Sequence, residues 1–187
     1  WAEPDRVAVY FATVKTLALV HFVYYAAKVA SAKRFASLWH ADEQAELAAF
    51  VAKMVKWTFW ASLAMSIGVL LLGRPLLSLF GPSFTEGFPI LFVLVLGVLA
   101  RSSVGPAETL LSMAGQQTSS ASVYGLTLAV SLLLNSILIP IYGIWGAAIG
   151  TTVAMIFESV VLATVVRRRL GLDVFFLAAA RRASSRD

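Results

Sequence analysis

Residues 89–113 read PILFVLVLGVLARSSVGPAETLLSM. This run of about 25 residues is slightly longer than the ~20 that carry a helix across ~30 Å of hydrocarbon at 1.5 Å per residue. Arg101 falls near its centre. Insertion scales put a charge at that depth at roughly +2.5 to +3.5 kcal/mol, so it needs an acidic partner, a hydrated cavity or an anionic ligand. Glu108 lies seven residues on, about two helical turns, and suggests an internal pair with Arg101. A ligand contact by Arg101, or a span shifted so that Arg101 sits nearer an interface, remain open beside that pairing. Gly105 and Pro106 remove a backbone hydrogen bond and predict a kink, either static or one that bends in use.

The surrounding composition says what such a helix belongs to. The chain has 187 residues, 59% of them hydrophobic and 13% charged, with a mean hydropathy of +0.83. No soluble domain of this size buries so much apolar surface, which predicts an all-α polytopic transmembrane bundle. Five spans are expected, at about 7–32, 51–72, 89–113, 121–139 and 145–166, with a tail over 169–187 that reads as a short amphipathic surface helix. Residues 33–53 read as a charged loop with a helical lead-in. Gly73 to Pro75 is expected to end the second span, and IPIYGIWG (139–146) to form the turn before the fifth.

The net charge of +5 invites a nucleic-acid reading, but the basic residues are placed as topology would place them. Lys33, Arg34, Lys53, Lys56 and the six arginines from Arg167 to the end lie on one side, against Arg6 and Arg74 on the other. The positive-inside rule makes the first side, with the carboxyl terminus, cytoplasmic, and excludes nucleic acid as a partner. An odd number of spans then puts the amino terminus outside with no signal peptide to carry it there. With Trp1 in place of Met, this predicts helices upstream of this sequence.

Several chemistries have no support. There is no Cys, hence no disulfide, thiolate metal site or cysteine nucleophile. His40, Asp42, Glu43 and Glu46 read as a solvated loop and not as metal ligands, because no second cluster matches them. The serines lack a partnering His and acid in any recognisable order. No cofactor is expected, and no enzyme.

Three cations and a histidine remain within spans. Lys15, His21 and Lys28 are spaced by six and seven residues and predict a broad cationic strip on the first helix, unless Lys28 snorkels to the surface and His21 is a packing residue. Asn135 and Glu158, in neighbouring spans, are candidates for carrying a proton or a cation, or for a structural pairing. Gly146 and Gly150 have the spacing that lets two helices approach closely.

From about Val9 onward the order of motifs resembles the carboxyl-terminal half of the multidrug/oligosaccharidyl-lipid/polysaccharide exporter superfamily, and within it the Wzx-type polysaccharide flippases. The likeness rests on AVYFATVKTLALV (8–20), LLLGRPLLSLFGPSF (70–84), VGPAETLLSMAGQQ (104–117) and LNSILIPIYGIWGAAIGTT (134–152). It implies helices eight to twelve of a two-lobed transporter whose amino-terminal lobe is a missing partner. The implied substrate is an undecaprenyl-pyrophosphate-linked oligosaccharide crossing the bacterial cytoplasmic membrane, with membrane lipids and the polysaccharide polymerase machinery as further partners. On that resemblance Lys15, His21, Arg101 and Glu108 would line the substrate cavity. The alternatives are a cation-coupled multidrug exporter of the same superfamily, whose cavity would carry carboxylates and aromatics, or a membrane scaffold subunit that transports nothing.

Overall fold

The computed structural model describes residues 4–175, and the described part is helical without a strand. Six α-helices form: α1 (Pro4–His40), α2 (Gln44–Ser78), α3 (Phe88–Ser102), α4 (Ala107–Met113), α5 (Gln117–Tyr142) and α6 (Ile144–Leu170). A 3₁₀ segment, Pro82–Gly87, joins α2 to α3. Five stretches are long and apolar enough to cross a bilayer, with α3 and α4 sharing one of them. The chain is a multi-pass membrane protein.

The first two helices overrun the expected spans. At 37 and 35 residues, α1 and α2 are about 55 and 52 Å long, well beyond the ~30 Å of hydrocarbon. Residues 33–53, expected as a loop, are therefore mostly helix, because nothing between Lys33 and His40 breaks one. The reversal takes only residues 41–43. Asp42 adopts φ 54°, while the Glu43 and Asp42 amides bond to the Leu38 and Trp39 carbonyls at 3.2 and 3.3 Å. These are the two bonds of a Schellman cap, with Asp in the left-handed position more often held by Gly.

Two proline expectations also fail. α2 passes through Pro75 to end at Ser78, and α5 passes through Pro140 to end at Tyr142. Each proline sits in the last turn or so of its helix, so the hydrogen bond it removes costs little cooperative length. The α5–α6 turn shrinks to Gly143 alone, at φ 57° and ψ −130°, a conformation open to Gly. Its tightness brings α6 onto α5 at close range. A Cβ on Gly146 would collide with the Leu138 carbonyl, and one on Gly150 would crowd the Asn135 side chain.

Gly105 and Pro106 produce a full interruption and not a bend. Helix stops at Ser102 and resumes at Ala107, with Gly105 at φ 55° pressed so closely on Val55 of α2 that a Cβ would meet its Cγ2 methyl at 2.9 Å and its Cα at 3.0 Å. α1 and α2 form one hairpin and α5 and α6 another; α3 lies between them, against α1, α2 and α6. Among the described elements α5 packs on α6 and α4 alone and leaves most of its surface outward.

The buried apolar residues divide into two cores. One, near the Arg74 end, holds Ala12, Leu17, Val20, Val69, Leu91 and Leu94; the other, near the Lys56 end, holds Phe35, Leu47, Val55, Leu110, Leu162 and Val166. Leu172 and Val174, just past α6, are buried in the second. The chain after Gly171 thus turns back onto the bundle instead of lying along its surface. Residues 176–187, the remainder of the expected surface helix, lie outside the described residues.

Candidate functional site

A polar layer separates the two cores. From α1 it takes Tyr24 and Lys28, from α2 Thr58 and Ser62, from α3 Arg101 and Ser102, from α4 Glu108, from α5 Tyr124 and from α6 Glu158 and Ser159. The α3–α4 interruption falls at the same level. Lys56 and Arg74 stand 18 residues apart on α2, about 27 Å, and bracket the hydrocarbon. Arg101, thirteen residues into α3 from Phe88, is about 20 Å in from the Arg74 end. The layer is thus inside the bilayer, in the third nearest Lys56.

Four charges in this layer are matched two by two. The Arg101 guanidinium lies 3.1 Å (Nη2) from Oε1 of Glu158, and Lys28 Nζ donates to Oε2 of Glu108 at 2.6 Å. Glu158 is almost fully buried, its side chain 6% exposed, against 22% for Arg101. The Arg101 guanidinium also stacks over the Tyr24 ring at 5.1 Å, and Lys28 Nζ lies 6.0 and 5.8 Å from the rings of Tyr24 and Tyr25. The Tyr124 hydroxyl sits beside the Glu108 carboxylate. Two positive and two negative charges leave this cluster neutral, and pairing offsets most of the insertion cost that each would carry alone.

The expected Arg101 and Glu108 pairing is replaced by two others. Seven residues would align them on a continuous helix, but the break at 103–106 turns Glu108 toward α1 and leaves Arg101 facing α6. Lys28, expected at the surface, is drawn inward by Glu108. The cationic strip does not assemble either. Thirteen residues at 100° each put Lys15 about 140° round from Lys28, and Lys15 stands exposed over the Phe11 ring at 5.0 Å. His21, half-buried on the Lys28 side of α1, remains within electrostatic range of Arg101. Asn135 does not meet Glu158: its amide donates to Ser131 Oγ at 3.2 Å, and its side chain lies at the level of Gly150, two turns away along α6.

On one side the layer opens into a cleft of about 280 Å³ between α5 and the α3–α6 pair. Arg101 and Glu158 form its charged end, and Tyr124, Thr127, Ser131 and Thr151 supply hydroxyls along it. The Thr151 hydroxyl also meets that of Tyr10 on the first helix at 3.2 Å. The Thr127 hydroxyl and Arg101 Nε are buried yet make no hydrogen bond among the described residues. Buried polar atoms of this kind are normally satisfied by water or a ligand. The sequence reading missed Tyr24, Tyr124, Thr127, Ser131 and Thr151. A signal for three of them existed: Tyr124, Thr127 and Ser131 recur at three- and four-residue steps along an otherwise apolar α5. Among the described residues no cluster of His, Cys, Asp and Glu is arranged to hold a metal.

Compared with protein-family models, with curated proteins and with solved structures, the chain finds no match. Its function is therefore argued from the cleft itself.

Proposed function

We propose that the chain forms part of a lipid-linked oligosaccharide flippase of the bacterial cytoplasmic membrane, its carboxyl terminus on the cytoplasmic side, and that Arg101 receives the substrate's pyrophosphate. The observation that carries the reading is a guanidinium at bilayer depth, facing an open, hydroxyl-lined cleft, with its one acidic partner in the same cleft. Because the cluster is neutral, an entering diphosphate competes with Glu158 for Arg101 instead of meeting a standing positive wall. Arg suits that exchange, since its planar fork binds carboxylate and phosphate in the same bidentate geometry. The interruption between α3 and α4, level with the ion pairs, gives the bundle a place to bend as the cleft opens and closes. Nothing in this step makes or breaks a covalent bond.

One observation favours a second reading. Glu108 and Glu158 are both in the network, beside Tyr24 and Tyr124, as a cation-coupled exporter would arrange them. The two are separated in a flippase-deficient bacterial strain by measuring surface polysaccharide. The flippase reading predicts that Arg101→Ala abolishes export, Arg101→Lys restores part of it, and Arg101→Leu/Glu158→Leu reaches the membrane at normal levels without exporting. Normal export by the double variant would refute the role given to Arg101. If Glu158→Gln instead stops proton-dependent drug efflux from cells carrying the protein, the exporter reading takes its place.

A further inference from the structure

The polar layer does not account for the lysines of α2. Lys53 lies three and four residues before Lys56 and Trp57, and Trp60 four and three after them, so the four share one face of the helix. With Ala61 they line a groove of about 420 Å³, the scale of a small-molecule site, to which no other helix among the described residues contributes. Both indoles are more than half exposed, at 56 and 59%. The groove therefore faces away from the bundle, and in the membrane it is covered by lipid.

Charge identifies which lipid. Among the described residues, Lys28, Arg34, Arg101 and Arg167 each have a carboxylate within 4 Å, and Arg74 lies over the Phe88 ring. Lys53 and Lys56 have no such acid among the described residues, which is also true of Lys15, Lys33, Arg168 and Arg169, but these two stand beside a pair of exposed indoles. They stand at the hydrocarbon boundary set by the 18-residue interval to Arg74, where their ammonium groups meet the phosphate plane and the indoles one turn deeper meet the ester and first methylene groups. We propose that this face of α2 is a binding site for one anionic phospholipid, its phosphate held between Lys53 and Lys56 and its chain lying along Trp60. The preference over a zwitterionic lipid is roughly twenty-five-fold, from two juxtamembrane cations each worth about a fivefold gain.

The test uses the indoles as reporters. The protein is reconstituted in phosphatidylcholine nanodiscs that contain a minor fraction of chain-brominated lipid, either phosphatidylglycerol or phosphatidylcholine. Brominated phosphatidylglycerol is expected to quench tryptophan fluorescence more strongly than the same fraction of brominated phosphatidylcholine. Trp57→Phe/Trp60→Phe is expected to remove that excess, and so is Lys53→Gln/Lys56→Gln, whose helicity by circular dichroism should match the parent's. Equal quenching by the two lipids would overturn the proposal, as would an excess that survives the lysine substitutions. Loss of the excess on adding inorganic phosphate to the buffer would also overturn it, since the site would then hold a soluble anion and not a lipid.

Discussion

Glu158→Ala is expected to lower the midpoint of thermal denaturation in detergent by about 6–12 °C, the equivalent of roughly 3 kcal/mol for a chain of this size. The argument rests on what stays behind. Removing Glu158 strands the Arg101 guanidinium at bilayer depth with the Tyr24 ring as its remaining close partner, and a guanidinium does not shed its proton. Arg101→Ala should cost less, because an orphaned carboxylate can neutralise itself by taking up a proton. Arg101→Leu/Glu158→Leu should recover most of the parent's stability, since apolar residues of similar volume replace buried ion pairs at little cost. The order expected is therefore parent and double variant together, then Arg101→Ala, then Glu158→Ala. Equal losses in all three variants would mean that the pair contributes packing alone.

Val174→Asp is expected to be the next most damaging change, at about 3 kcal/mol, read as a lower denaturation midpoint and as faster proteolysis of the chain after α6. Val174 is 2% exposed and fits among Phe35, Val51, Val55, Val104 and Leu110. An aspartate there meets no cation and no hydrogen-bond donor among the residues lining that pocket. Val174→Ala, which deletes two methyl groups, should cost about 1.5 kcal/mol. Phe175→Asp provides the control. Its side chain is 38% exposed, so it should cost about 1 kcal/mol, well short of Val174→Asp. If Val174→Asp were as mild as Phe175→Asp, the segment after Gly171 would not be docked as described.

These two sites also show what a linear reading can reach. Five spans and an irregularity at Gly105 and Pro106 were legible, because apolar run length and breaker residues are local properties of the chain, though the expected kink is a full interruption. That Arg101 and Glu158 lie within spans was legible too, since a charge inside an apolar run is conspicuous without knowledge of the fold. Their mutual pairing was not. It depends on α6 lying against α3, and on the few residues at 103–106 that rotate Glu108 away from Arg101 and toward Lys28. Lys15 misled because its spacing to His21 and Lys28 looks helical until the angles are added. Val174 was hidden for the opposite reason: LDVFF after a run of arginines looks like a surface segment, and only the left-handed turn at Gly171 sends Leu172 and Val174 back into the core.

Hydration of the polar layer within the membrane is directly measurable, because the chain has no cysteine. Thr127→Cys and Leu126→Cys place a thiol at nearly the same depth of α5, the first lining the cleft beside Arg101 and the second 50% exposed on the outward face. In intact membranes a charged, lipid-insoluble maleimide should label Thr127→Cys and leave Leu126→Cys unmodified. Failure to label Thr127→Cys, or equal labelling of the two, would contradict a water-filled cleft at Arg101.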